Sequence, residues 1–463
     1  MNKLKQQPIH ILLTIFLAGF VGISSEIFTI RQLIPLVGTG IIVTSMIIGM
    51  FLLFLALGYW RGGNYQDNFI VILQRNFMLA AILLGVGISY TFISAFFSTI
   101  EHYLPYNNLL LTLTIYLLLI IAPTIYLIGQ TIPLTMNLID PQQRTAKIGG
   151  EVLFINTLGS FLGALLTSLL LLEHLGVAWT VFINFAILIM LGLICSTLKE
   201  LPFYSLLAAG MLWLVYDLNI SVEKKYFIAT TNHANYSISK ETSLYSEIQG
   251  KTLVYNNSRA SFLDQNNTAF PYIELIKRIL FKELKLQHAQ ILVLGAGGFT
   301  ISAANTYNNE FTYVDIDPKI KTIVEENFLP KINGKFIAQD ARTYLPKHPQ
   351  QYDVIISDTY SNSLTIPAML LTQEHFSNIK KALKHGGLAI FNIIANPLFK
   401  DAYTKRVDST IRAVFSNCLA IPLHYANHPT NIIYLCNTND NDTTIYTDNH
   451  NTADLDVIFS KAK

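Results

Sequence analysis

Hydrophobic and polar positions divide this chain into two halves with different periods. Up to about residue 220, apolar runs follow one another, broken only by a few charges, turns and prolines. A helix needs about 20 apolar residues to cross a bilayer. The runs therefore predict seven spans, at 8–30, 34–59, 77–97, 108–132, 152–172, 177–197 and 201–217. The first is long, leads into another apolar run and has no small-residue cleavage site, so it is read as a retained span and not a signal peptide. From Glu223 the pattern turns polar. Short alternating runs within 225–263 (YSISK, YSEIQ, KTLVY) predict a small antiparallel sheet. Residues 271–286 place Ile273, Ile276, Ile279, Leu280 and Leu284 at helical spacing, with Lys277, Arg278, Lys282 and Lys285 opposite. Strands are expected at 290–295, 311–316, 334–338, 352–357 and 387–393, with helices between them, which implies a parallel sheet. Two more strands are expected near 418–424 and 431–436. The resulting division is 1–221 (membrane), 222–286 (small β segment and helix), 287–440 (α/β domain) and 441–463 (polar tail).

Candidate chemistry gathers in the α/β part. The buried run Ile291-Leu292-Val293-Leu294 leads directly into Gly295, Gly297 and Gly298. Glycines there let the chain turn sharply and let a ligand approach the backbone. A helix over 299–306 would then point its free N–H groups at that ligand. The next strand ends in Asp315, an acid well placed to accept hydrogen bonds from ribose hydroxyls. Asp340 follows the third strand, and Asp358 with Tyr360 ends the fourth. Ligands of such sheets bind outside the carboxyl ends of the strands, so acids at three successive ends beside a glycine turn predict one pocket. The plainer reading of each acid is helix capping: Asp340 can cap a helix starting at Ala341, and Asp317 fits the start of the next helix so well that it receives no chemical role.

Composition agrees with the division. The chain has 463 residues, 51% hydrophobic and only 13% charged, with a formal charge of +2. That balance gives no reason to expect a nucleic-acid partner. The histidines show no ligand spacing, so no metal is expected. Of the three cysteines, Cys418 and Cys436 can fall on neighbouring strands, but the expectation is buried free thiols. Within the spans, Glu26 is expected to pair with Arg31 at the interface, while Gln130, Asn156 and Asn184 hold helices together and small residues such as Gly58, Gly159 and Gly163 permit close packing.

Orientation is awkward. Lys3, Lys5, Arg61, Arg75, Arg144, Lys147 and Lys199 fall on one side, against Arg31, Glu101 and Glu173 on the other. The positive-inside rule then makes the N-terminus cytoplasmic. Seven spans would put the α/β half outside, where a nucleoside cofactor is not found. Either a span is miscounted, the short seventh above all, or the domain does not use a cytosolic cofactor. The expectation carried forward is a multi-pass protein of the cell (inner) membrane with a cytoplasmic α/β domain.

The second half resembles the spermidine synthase family of aminopropyltransferases, which share the class I S-adenosylmethionine-dependent methyltransferase fold. The motifs are ETSLYSEI, FPYIELI, ILVLGAGG, YVDID, AQDARTYL, YDVIISDTYS and IPAMLLTQEHF, in the family's order. The first half is similar to the membrane domain fused to such domains in bacterial membrane-bound relatives, through GFVGISSEIFTIRQL, IGQTIPL and FINTLGSFLGALL. The resemblance implies a doubly wound, mostly parallel sheet. It implies nucleoside contacts from Gly295, Gly297, Asp315, Asp340, Ala341 and Pro367, and a catalytic Asp358 that receives the proton of an attacking amine. Tyr245, Tyr272 and Tyr360 would line the substrate side. The implied donor is decarboxylated S-adenosylmethionine or S-adenosylmethionine, without metal. The implied partners are the lipid bilayer and a small amine or polyamine, with a homo-oligomer left open. Four positions depart from the family: Gly298 and Ser361 replace aspartates, Ile273 a polar residue and Ser246 a glutamine. The nucleoside contacts survive, whereas groups that hold a polyamine are mostly replaced. Methyl transfer on the same scaffold, a non-catalytic nucleoside sensor coupled to the membrane, and regulated transport are the alternatives.

Overall fold

The first half is helical almost throughout, the form in which an apolar segment can satisfy its own backbone polar groups in lipid. The computed structural model describes residues 8–38, 40–103, 108–139, 145–242, 248–256, 258–303, 307–360 and 366–438. Its helices are α1 (Pro8–Val37), α2 (Ile41–Gly63), α3 (Phe69–Gly87), α4 (Tyr90–Tyr103), α5 (Leu109–Tyr116), α6 (Ala122–Gly129), α7 (Thr131–Met136), α8 (Thr145–Leu166), α9 (Gly176–Ile194), α10 (Leu201–Tyr216) and α11 (Val222–Tyr226). Six apolar helical runs among the described residues are long enough to cross a membrane, one of them 49 residues long, Ala146–Ile194. That run turns at Gly176, whose φ of +81° a right-handed helix cannot contain. It therefore supplies two crossings, α8 and α9, and the described residues provide seven crossing lengths. The last, Leu201–Tyr226, has 26 residues and is not short.

The crossings alternate in direction. Gly163 of α8 meets Phe20 of α1, and Thr167 bonds Ser24 at 2.6 Å, so α1 and α8 run parallel. A side chain at Gly159 would strike the Phe16 carbonyl, and one at Gly163 would come within 2.5 Å of the Phe20 carbonyl. The glycine pair lets these two backbones touch. Gly58 does the same against Tyr126 and Gly129, whereas Gly49 has nothing near it. The third crossing begins earlier than 77 and ends at Gly87. Gln74, Arg75 and Asn76 hid its start, but Gln74 bonds Ser196 at 3.0 Å and Asn76 bonds Gln130 at 2.9 Å inside the bundle. The 14-residue α4, which the sequence ran into that span, is separate and too short to cross.

The second half starts with an antiparallel sheet of β1 (Ala229–Thr230), β2 (Asn235–Thr242), β3 (Gln249–Tyr255) and β4 (Ser258–Asp264), followed by α12 (Pro271–Lys277). The α/β domain then runs β5 (Gln290–Leu294), β6 (Glu310–Asp315), α13 (Ile320–Asn327), β7 (Lys335–Ala338), α14 (Ala341–Tyr344), β8 (Tyr352–Ser357), α15 (Gln373–Ala382), β9 (Leu383–Ala395), α16 (Ala402–Val414), β10 (Asn417–Pro422) and β11 (Thr430–Asn437). The sheet order is β10-β11-β9-β8-β5-β6-β7, parallel from β7 to β9, with β11 antiparallel to both of its neighbours. That is the class I methyltransferase-type order. It puts β5 between β6 and β8, so the ends of all three converge on one place. Cys418 and Cys436 are opposite each other on β10 and β11 and form a disulfide, not two free thiols. The strand register, which alternation alone could not fix, brings them together.

Gly159→Val should separate α1 from α8. Overpacking costs about 1–3 kcal/mol, so the variant should show a lower Tm and poorer recovery in detergent than Gly49→Val, whose site is open.

Candidate functional site

Gly295 leaves β5 with φ +86°, and a side chain there would strike the Asp358 carbonyl. The glycine turn therefore lies directly on the end of β8. The expected helix over 299–306 is reduced to a single 3-10 turn, Thr300–Ser302, and residues 304–306 lie outside the described set. Three of the loop N–H groups are engaged by the protein itself. Gly295 donates to the Val314 carbonyl at 2.9 Å, Ala296 to Asp315 at 2.8 Å and Gly298 to Ser261 at 2.8 Å. A loop with its amides committed this way suits a neutral nucleoside better than a phosphate.

A cavity of about 750 Å³ opens at these strand ends. Gly295, Gly297, Asp315, Asp340, Ala341, Asp358, Tyr360, Pro367 and Tyr272 all line it. Tyr245 lies outside the described residues, as do Ser246 and Ser361. Asp315 also accepts the Asp317 N–H at 3.0 Å. Burial pushes its pKa up, against the two amide hydrogen bonds it accepts. Asp340 caps α14 by accepting the Arg342 N–H at 2.7 Å, so the capping reading and a place in the cavity hold together. Asp358 is half-buried, and accepts from Tyr272 Oη at 2.9 Å and from Asn392 Nδ2 at 2.8 Å. Burial raises its pKa above the usual aspartate value, and these two donors partly offset the rise. Burial and the Asp358 charge together hold the Tyr272 hydroxyl protonated, so it remains a donor. Tyr360 is pinned to β9: its hydroxyl donates to the Asn392 carbonyl at 3.1 Å and accepts the Ile394 N–H at 2.6 Å.

Asn392 escaped the sequence reading. It is an amide inside the buried run IFNIIA, and a polar residue in so apolar a strand was the available signal. Gly298 is more than a missing carboxylate. A side chain there would come within 2.5 Å of the Phe328 ring and 2.7 Å of the Ser261 Cβ, so neighbours fill the space. Ile273 adds an apolar wall.

The apolar helical half reaches this site. At 30 residues, or about 45 Å, α1 outruns a hydrocarbon core of about 30 Å, and its last turns enter the α/β half. Arg31 does not pair with Glu26. Its guanidinium donates twice to the Thr231 carbonyl, at 2.6 and 3.0 Å, and to Asn235 Oδ1 at 2.9 Å. The Thr231 hydroxyl donates to Asp317 at 2.5 Å, as does Tyr236 at 2.7 Å. Asp317, fully buried, shares a turn with Asp315 and also bonds the Lys319 N–H at 2.9 Å. The helix it was expected to cap, α13, has Lys319 at its N-cap, so Asp317 closes the turn before it and has a structural role instead. Ile34, one turn beyond Arg31, lines the cavity.

Arg31→Met leaves the Thr231 and Asn235 oxygens without their donor. Each charged hydrogen bond contributes about 1.5–3 kcal/mol. The variant should lower the thermal midpoint of the full chain and weaken nucleoside binding, both measurable in one ligand-dependent melting series.

Residues 269–446 match the family described as Spermine/spermidine synthase domain. The chain is 25% identical over 409 residues to "Polyamine aminopropyltransferase 2" of Aquifex aeolicus (strain VF5), covering 82% of this chain and 78% of that one. It is 28% identical over 130 residues to "Probable polyamine aminopropyl transferase" of Bifidobacterium longum (strain NCC 2705), covering 28% of this chain and 29% of that one. Among solved structures it is similar to a "probable spermidine synthase" from Corynebacterium glutamicum ATCC 13032, with TM-score 0.37 and 22% identity over 49% of this chain and 83% of that one. Over residues 269–446 the chain is thus similar to the spermine/spermidine synthase domain.

Proposed function

We propose that the protein is a membrane-anchored transferase that moves an aminopropyl or related alkyl group from an S-adenosyl-type sulfonium to an amine. The observation that carries this reading is Asp358, held by Tyr272 and Asn392 in the same cavity as Asp315 and the glycine turn. In the reaction, the acceptor nitrogen attacks the carbon beside the sulfonium. The C–S bond breaks, its electron pair goes to sulfur, and the nucleoside leaves as a neutral thioether. Asp358 orients the nitrogen and takes its proton. The donor is already activated, so alignment is the protein's main task. Asp315 would bind the ribose hydroxyls and Asp340 the adenine amino group, with Gly295, Gly297, Ala341 and Pro367 shaping the nucleoside side and Tyr360 the acceptor side. The loss of acids at Gly298 and Ser361, and of a polar residue at Ile273, favours an acceptor with less charge than a diamine, since a dication needs carboxylates to offset its lost hydration. A second reading, a nucleoside-binding module coupled to the membrane helices, draws on the bonded path Arg31–Thr231–Asp317–Asp315.

Product formation from decarboxylated S-adenosylmethionine over a panel of mono-, di- and polyamines separates the two. Turnover supports the transferase, and nucleoside binding without turnover on any amine supports the module. Asp358→Asn should reduce turnover by about 10²–10⁴-fold while leaving nucleoside binding nearly unchanged. The base acts ionised and its pKa is raised, so wild-type rates should climb with pH through a value above that of an ordinary aspartate. The residual activity of Asp358→Asn should lack that limb, and an unchanged profile would remove Asp358 from its role.

A further inference from the structure

We propose that the α/β domain lies on the non-cytoplasmic, oxidising side of its membrane, with Cys418–Cys436 a structural disulfide formed there. The inference stands apart from the transferase reading and rests on two independent features of the fold.

The first is parity and charge. With seven alternating crossings, the start of α1 and the α/β domain end on opposite faces. Contacts within the bundle trace the same order. On the face away from the domain, Gly62 near the end of α2 meets Gln130 and Pro133, and Gln74 near the start of α3 bonds Ser196 just past α9. On the domain's face, Arg31 near the end of α1 bonds Thr231, Tyr90 at the start of α4 stacks edge-on against Phe227, and Lys319 donates to the Glu173 carbonyl at the α8–α9 turn. The basic residues Arg61, Arg75, Lys147 and Lys199 all belong to the far face. The sequence adds Lys3 and Lys5 ahead of α1 and Arg144 just before α8. The domain's face has Arg31, buried and consumed by its bonds to the domain, and Lys224 and Lys225 beside Glu223 in α11. Basic residues near span ends mark the cytoplasmic side, which makes the far face cytoplasmic and the domain's face exoplasmic.

The second feature is the distribution of cysteine. Cys418 and Cys436 are opposite each other across β10 and β11 and are bonded. Cytosolic thiols are kept reduced, whereas disulfides persist outside the cytosol. The free cysteine among the described residues, Cys195, is buried at the end of α9, on the face assigned to the cytoplasm. Neither feature depends on the other, and both point the same way. An adenosyl compound built from ATP in the cytosol would then need a step that carries it across the membrane before this site can use it.

The test uses the full chain in spheroplasts and a membrane-impermeant maleimide. Lys331→Cys, exposed on the α/β domain, should be labelled before lysis, and Lys199→Cys, exposed on the far face, only after it. Alkylation of the wild-type protein in acid-quenched cells serves as a second readout that needs no variant: Cys418 and Cys436 should react only after reduction. Labelling of Lys199→Cys before lysis with Lys331→Cys protected would overturn the inference. Alkylation of Cys418 and Cys436 without reductant would do the same.

Discussion

Two half-buried carboxylates, Asp315 and Asp358, flank β5, and the arrangement of the α/β half follows from keeping them satisfied there. An uncompensated buried carboxylate is costly. Each is therefore held by donors whose positions are fixed by other elements. Asp315 takes amides from the glycine turn and from the following turn. Asp358 takes a hydroxyl from α12 and an amide from β9. Gly295 is required between them because the Asp358 carbonyl occupies the place of its side chain. The site is thus assembled from five separate segments, and the strand order brings them to one end of the sheet.

The parallel strands and the acids at their ends were legible because buried strands read as short branched apolar runs and the chain reverses character sharply after each. The two strands β10 and β11 were legible as well, but not their pairing register, and the disulfide went unread for that reason. Asn392 was visible as an oddity in an apolar strand, yet its partner is 34 residues away across the sheet. The start of α3 was masked by Gln74, Arg75 and Asn76, of which Gln74 and Asn76 find partners inside the bundle, so their polarity marks packing and not the membrane edge. Gly298 reads in sequence as a lost acid. Only packing shows that Phe328 and Ser261 have closed the space.

The apolar helical half contributes to the cavity itself. Its first helix is longer than a bilayer's hydrocarbon core requires and ends in the wall of the cavity, with Ile34 lining the cavity and Arg31 bonded to the strand that steadies Asp317. A short turn joins Asp317 to Asp315. Asp315 and the long apolar helix α1 therefore share one bonded path, and a tilt of α1 cannot leave that carboxylate's surroundings untouched. Crossing parity ties the same helix to the question of which compartment the pocket faces.

The central claim is that these acids form one adenosine-shaped hollow. Calorimetric titration of the full-length protein in detergent with methylthioadenosine, alongside the Asp315→Ala variant, tests it most directly. The account predicts saturable single-site heat with the wild type and its loss in the variant. Equal heat from both proteins, or none from the wild type, would contradict it.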